Sequence, residues 1–377
     1  MKLNVKALLT IAVVVIVALV GVIVYQQLQL SEAQKQIAKL EAPVAKLRVG
    51  FVYVSPIGDA GWTYQHDRAR KVMEKALGAR VETKYVENVP EGAEATRVIR
   101  ELAASGYKLI FTTSFGYMNP TIKVAKQFPD TFFEHNSGYK RAKNVSTYLA
   151  RFYEGRYLTG IVAGKMTKSN VIGYIAAFPI PEVVRGINAF TMGLRSVNPA
   201  AEVKVIWVNS WFDPGREREA ADALIAQGAD IVTHHTDSTA TTLAAEEAGV
   251  LSIGYHSDMS KYGAKAHLTA STHDWSAYYI KRVNDVLDGA WKSEDVWWGI
   301  KDGMVKLARL NPAVPKAVAD LVAERKQAIA AGTLHPFAGP VRSQDGEVRV
   351  PAGQTMADEE LLRMDWYVEG VLGKLPK

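Results

Sequence analysis

The chain has 377 residues, with 45 Lys and Arg against 39 Asp and Glu, a net charge of +6 and no cysteine. That excludes a disulfide framework, thiolate zinc sites, a cysteine nucleophile and a lipid-modified cysteine anchor. Residues 1–48 hold six basic and two acidic residues, so most of the excess charge lies there. The remainder is nearly balanced and has no basic run interleaved with aromatics, which argues against nucleic-acid binding. The segment "ALLTIAVVVIVALVGVIVY" (Ala7–Tyr25) follows Lys2 and Lys6 and contains no charge. At ~1.5 Å per residue a helix of this length approaches the ~30 Å hydrocarbon core of a bilayer. The preceding lysines favour a cytoplasmic N-terminus. The run ends in "GVIVYQQ", with no small-x-small cleavage site. Residues 1–25 are therefore expected to remain as a signal-anchor, with the folded part on the extracytoplasmic face of the membrane; a cleaved signal is the alternative. Residues 26–46 read as a polar helical linker, with a short heptad seam (Leu30, Ala33, Ile37, Leu40, Val44, Leu47) interrupted by Pro43.

From Leu47 onward strands and helices alternate. The segments "LRVGFVYV", "RVETKYV", "KLIFTT", "TFFEHN" and "NVSTYLA" are short, rich in β-branched and aromatic residues, and bounded by turn formers. Between them the pattern predicts helices at 62–77, 92–105 and 120–128. After a long helix over 153–166 the alternation starts again. The strands are "NVIGYIAAF", "EVKVIWV", "DIVTHH", "VLSIGY" and "AHLTAST", and the helices fall at 182–196, 215–227, 238–248 and 275–289. Beyond "WWGI" come a helix over 312–331, an Asp-Gly hairpin in "SQDGEVRV" and a short helix over 358–364. Such alternation predicts an α/β protein with mostly parallel sheets, built as two similar lobes.

In open α/β sheets, ligands bind beyond the carboxyl ends of the strands. At those positions stand Asp59 and Trp62, then Phe115, then Asn136 in the first lobe. In the second lobe they are Phe178, Trp211, Asp237 and Asp258. Trp62, Phe115, Phe178 and Trp211 are predicted to form one aromatic rim contributed by both lobes. A flat ring held between such faces gains apolar burial and stacking, while nearby carboxylates fix its edge. The loop "PIGDAGW" lacks the spacing of a phosphate cradle. His234 and His235 are adjacent in a strand and point to opposite faces, which argues against one shared metal. No nucleophile motif stands out, and no cofactor or metal is called for.

The stretches "GFVYVSPIGDAGWTYQHDRAR", "IGYIAAFPIPEVVRGINAFTMGLRSVNP", "SWFDPGREREAADALIAQGADIV" and "GYHSDM" resemble the basic membrane protein family. The closing "GPVRSQDGEVRVPAG" and "LLRMDWYVEGV" fit the same family, so the resemblance spans about residues 47–374. These are extracytoplasmic solute-binding proteins of ABC importers. The resemblance implies a type I periplasmic binding protein fold, two Rossmann-like lobes joined by three hinge crossings. It also implies a small-molecule ligand, a purine nucleobase or nucleoside, and an ABC permease as partner. On this basis residues 47–149 and 272–292 are expected in the N-terminal lobe, and 150–271 and 293–377 in the C-terminal lobe and tail. Crossings are expected near 148–151, 268–272 and 290–295. Asp258 matches a family aspartate that holds ribose. The family's ribose-binding lysine has no counterpart in "LTASTHDWSAYY", where Thr272 or His273 stands instead, which favours a bare base such as adenine. The alternatives are a sensor using the same pocket and a nucleoside hydrolase-like enzyme.

Overall fold

A computed structural model describes residues 4–41 and 46–376, with side chains described at 4–35 and from 46 onward. The chain divides into two units, Met1–Lys46 and Leu47–Lys377. In the first, α1 (Val5–Glu41) runs unbroken through the predicted span and into the predicted linker. Its portion Val5–Lys35 is long and apolar enough to cross a membrane. Pro43 and Val44 lie outside the described residues, as do the side chains of Ile37 and Leu40, so half of the predicted heptad seam falls there.

The second unit opens with β1 (Leu47–Val52), α2 (Trp62–Leu77), β2 (Val81–Val86), α3 (Ala93–Ala104), β3 (Leu109–Thr112), α4 (Met118–Ala125), β4 (Phe132–Asn136) and β5 (Val145–Ala150). There follow α5 (Phe152–Met166), β6 (Val171–Ala176), α6 (Pro181–Arg195), β7 (Glu202–Trp207), α7 (Pro214–Ala226), β8 (Ile231–His235), α8 (Ala240–Ala248), β9 (Leu251–His256) and β10 (His267–His273). The remainder comprises α9 (Ser276–Leu287), β11 (Asp295–Trp298), β12 (Val305–Leu307), α10 (Lys316–Ala330), β13 (Val341–Arg342), β14 (Val348–Val350), α11 (Asp358–Leu361) and β15 (Val371–Leu372).

The N-terminal lobe is a six-stranded sheet in the order β11-β5-β4-β3-β1-β2, and every pairing in it is parallel. The C-terminal lobe is a seven-stranded sheet in the order β12-β10-β9-β8-β6-β7-β15, parallel except where β12 meets β10. All residues of β3, β5 and β8 are buried, because helices cover both faces of the central strands. Gly160 and Gly193 let α5 and α6 approach backbone to backbone. A Cβ on Gly193 would lie 1.9 Å from the Tyr157 carbonyl oxygen. The fold is thus the two-lobed α/β architecture expected from the alternation.

The chain crosses between sheets at three places. The first follows β5, near Arg151. The second lies between β10 and α9, around 274–275, because β10 stays in the C-terminal sheet through His273 while α9 packs on α2. The third lies between β11 and β12, in 299–304. Both therefore fall later than the expected 268–272 and 290–295. The lobe boundaries move with them: residues 272–273 belong to the C-terminal sheet, and β11 belongs to the N-terminal one. The reason is that β11 adds to the edge of β5, where Thr147 Oγ1 donates to Asp295 Oδ1 at 2.7 Å. An edge strand of this length leaves little periodic pattern in the sequence.

Candidate functional site

The two lobes meet at the carboxyl ends of their strands, and the cleft between them is drawn shut. Gln65 Nε2, on α2, donates to the His256 carbonyl oxygen at 2.7 Å, and Ser257 Oγ donates to the Ala60 carbonyl oxygen. At the turn before α2, a Cβ on Gly61 would sit 2.2 Å from the Asp237 carbonyl oxygen. Only glycine permits that approach. Beside this contact is a narrow cavity. Val54, Trp62, Ser114, Phe115 and Ser137 line it from the N-terminal lobe. Ile180, Glu182, Trp211, His235, Asp237 and His256 line it from the C-terminal lobe. No lysine or arginine is among them.

Trp62 opens α2, and its Nε1 donates to the Thr113 carbonyl oxygen at 2.6 Å, tying the helix start to the end of β3. Its indole meets His66, Phe152, His256, His273 and Trp275 at interplanar angles of 60–74°. Edge-to-face packing of this kind holds a ring firmly. Among the described residues, no protein ring lies parallel to Trp62. Trp211 stands on the loop before α7, fixed by the Asp237 backbone N–H donating to its carbonyl oxygen at 2.9 Å. Asp213 caps α7 by accepting from the Arg216 backbone N–H at 3.1 Å.

Of the eight residues singled out from the sequence, Trp62, Phe115, Trp211 and Asp237 come together on the cavity wall. The other four do not line it. Asp59 is buried, but its carboxylate accepts from the backbone N–H groups of Gly61, Thr63 and Tyr64 at 2.8–3.0 Å and from Ser55 Oγ at 2.9 Å. It organises the first turn of α2 and has no oxygen to spare for a ligand. Asn136 is buried beneath Ser137, whose hydroxyl donates to Asn136 Oδ1 at 2.8 Å. Phe178 turns toward a separate surface pocket and packs on the far side of Trp211, with ring centroids 5.0 Å apart. Asp258 is exposed and caps a local turn through the Ser260 backbone N–H at 2.9 Å.

The electrostatics are those of a dry site. Asp237 is buried, and burial raises its carboxyl well above the ordinary range, with Asp59 and Glu217 adding repulsion. Burial likewise pushes Asp59 up to about 6, against the pull of its backbone hydrogen bonds. Ser55 Oγ lies 2.9 Å from Asp59 Oδ2 and 3.5 Å from Asp237 Oδ2, linking the carboxyls across the cleft. His256 Nε2 is 3.1 Å from Asp237 Oδ1 without hydrogen-bond alignment, and its Nδ1 is 2.9 Å from His273 Nε2. Burial, reinforced by His273, holds His256 well below the usual imidazole value. Burial also lowers His235 to about 4, although Glu182 lies 3.7 Å away and favours its charged form. The imidazoles facing the cavity are therefore neutral at neutral pH.

Residues 46–334 match the family described as ABC transporter substrate-binding protein PnrA-like. The chain belongs to the Bmp family. It is 55% identical over 332 residues to a purine-binding protein of Brucella abortus (strain 2308), covering 88% of this chain and 95% of that one. It is 40% identical over 331 residues to a Haloferax volcanii protein that carries the provisional name of an ABC transporter glucose-binding protein, covering 88% and 81%. Among solved structures, an ABC transporter solute-binding protein from Aeropyrum pernix K1 superposes with a TM-score of 0.68 at 20% identity, covering 84% of this chain and 97% of that one. That likeness establishes the fold of this Bmp protein as the periplasmic binding protein type.

Several residues of the Bmp cavity lie outside the eight singled out as ligand contacts. Glu182 begins α6, immediately after Pro181 at its first position, and its role as a wall is hidden behind an ordinary helix start. His235 and His256 end β8 and β9. The same strand-end rule that selected Asp237 and Asp258 selects them equally well. His256 adopts φ 68°, an uncommon value for a residue with a side chain, at a position where the strand turns into the cavity. Ser114 and Ser137 also stand at strand ends, where serine usually serves a turn.

Proposed function

We propose that this protein captures a purine-type ligand, a nucleobase or nucleoside, between its lobes and delivers it to the permease of an ABC importer, while α1 holds it at the extracytoplasmic face of the membrane. The observation that carries the reading is the cavity itself: a narrow slot with Trp62, Phe115 and Trp211 drawn from both lobes and no cationic side chain on its wall. A slot of this kind suits a flat, uncharged ring, and it disfavours phosphorylated ligands, whose charge would find no cation on the wall. The Brucella relative, named as purine-binding, supports the same ligand class. Family membership favours a carrier over a hydrolase, because the family is one of substrate-binding proteins.

The test has two parts. Mass spectrometry of small molecules released by denaturing the purified protein should return a purine. Calorimetric titration with adenine, adenosine and glucose should show binding of a purine and none of glucose. Glucose binding without purine binding would overturn the reading in favour of the sugar named for the Haloferax relative. For the anchor, the full chain should stay with membranes through carbonate extraction, and deleting residues 1–25 should release it. Extraction of the intact chain by carbonate would remove the anchor from the proposal.

A further inference from the structure

We infer that Glu182 is the specificity-determining residue of this site and that it selects amino-substituted purines over oxo-substituted ones. The inference rests on the purine reading and adds which edge of the purine is accepted. The argument comes from the hydrogen-bonding groups the cavity leaves unused. Glu182 Oε2 is buried on the wall and has no hydrogen-bond partner among the described residues. Ser114 Oγ donates its proton to Glu91 Oε1, and Ser137 Oγ donates to Asn136 Oδ1, so both hydroxyls present lone pairs rather than protons. His235 Nε2 lies 3.7 Å from Glu182, and His256 Nε2 lies 3.1 Å from Asp237 but has no hydrogen-bond partner among the described residues. Trp211 Nε1 is likewise buried and without a partner among the described residues, so the wall also offers a donor.

The groups left free include three acceptors, Glu182 Oε2 and the hydroxyl oxygens of Ser114 and Ser137. A ligand edge that meets Glu182 must bring N–H groups, while lone pairs elsewhere on the ring can accept from Trp211. An exocyclic amino group supplies two N–H donors, whereas a carbonyl at the same ring position supplies only lone pairs and sets acceptor against acceptor. A buried acceptor left facing an acceptor loses its hydrogen bond and keeps its desolvation cost, which amounts to about tenfold to a hundredfold in affinity.

The experiment is calorimetric titration of the purified protein, first freed of co-purifying ligand, with adenine, 2,6-diaminopurine, hypoxanthine and xanthine. It is repeated with Glu182→Gln, whose amide can donate. Wild type should bind adenine and 2,6-diaminopurine about tenfold to a hundredfold more tightly than hypoxanthine and xanthine. Glu182→Gln should narrow that gap, chiefly by gaining affinity for the oxo-purines. Equal or tighter binding of hypoxanthine by wild type overturns the inference while leaving the purine reading intact. So does a Glu182→Gln variant that weakens all four ligands alike. Binding of none of the four overturns the purine reading and this inference with it. Should Glu182→Gln fail to fold, the wild-type ranking alone still decides.

Discussion

Trp62 combines two roles that are usually separate. Packed by five rings and almost wholly buried, it belongs to the main hydrophobic core, yet it also lines the cavity. Trp62→Ala is expected to cost ~3–5 kcal/mol of stability, as for other large-to-small core changes, and to weaken binding as well. Trp211 separates the effects. It is half-buried, packs on Phe178 and has an indole N–H without a partner. By analogy with base–aromatic stacking, Trp211→Ala should weaken purine binding by ~1–3 kcal/mol. Its melting temperature without ligand should change by only a few degrees. Trp211→Phe should recover the stacking portion and not the hydrogen bond. Calorimetry beside thermal melts reads both quantities, and a large fall in melting temperature for Trp211→Ala would make it a core residue. Asp258→Ala, by contrast, should leave affinity unchanged, since Asp258 is exposed and off the wall. The sequence identified strand ends as the place to look, and half of its candidates reach the cavity. It could not say which strand-end carboxylates face inward. Asp59 and Asp237 are both buried acids beside the cleft, and only the paths of their loops decide that one caps a helix while the other lines a wall.

Lobe closure turns on the junction between β1 and α2. The turn at Gly61 lies against the backbone of Asp237 from the other lobe, and a methyl group there would meet a carbonyl oxygen at 2.2 Å. That oxygen cannot rotate away as a side chain would, so the lobes would have to part. Gly61→Ala is therefore expected to weaken ligand binding while leaving each lobe folded. Small-angle scattering should show ligand-driven compaction of the wild type and little or none for Gly61→Ala. Compaction equal to wild type would mean that the contact is not needed for closure. The same scale shows what could be read in advance. Long helices such as α2 and α5, and buried strands such as β1 and β8, carry strong periodicity or dense apolar runs and fall within a few residues of their predicted bounds. The edge strands β11, β12 and β15 have two to four residues each and were not anticipated. Their existence depends on a neighbouring edge that needs a partner, which is a tertiary fact. Two of the three hinges were misplaced because β11 and β12 were missing.

The whole molecule hides its titratable groups to an unusual degree, and this sets its response to acid. All eight histidines are held below their ordinary value, and burial is the leading cause for each. His135, His234 and His273 are lowered to about 3 and His235 to about 4. In the unfolded chain these rings take up protons below ~6.5, while the folded chain refuses them, so their contribution to stability is lost as pH falls from neutral toward 4. Buried carboxyls act in the opposite sense. Asp59 is raised to about 6 and Glu154 to about 7, and Asp237, Glu134 and Glu217 are raised as well, in every case chiefly by burial. The folded state keeps those protons where the unfolded chain, with carboxyls near ~4, has released them. Their contribution is present in acid and lost as pH rises through the folded values. Near pH 5.5, where the unfolded histidines are mostly charged, the eight histidines outnumber the five raised carboxyls, so unfolding should take up protons overall there. Stability should then fall by ~1.4 kcal/mol per pH unit for each net proton. Thermal melts of the ligand-free protein should therefore show a lower melting temperature at pH 5 than at pH 7, and calorimetric unfolding in buffers of different ionisation enthalpy should report net proton uptake near pH 5.5. A melting temperature that rises on acidification to pH 5 would mean that the buried carboxyls around Asp59 and Asp237 dominate, and that the cleft is tighter in acid than at neutral pH.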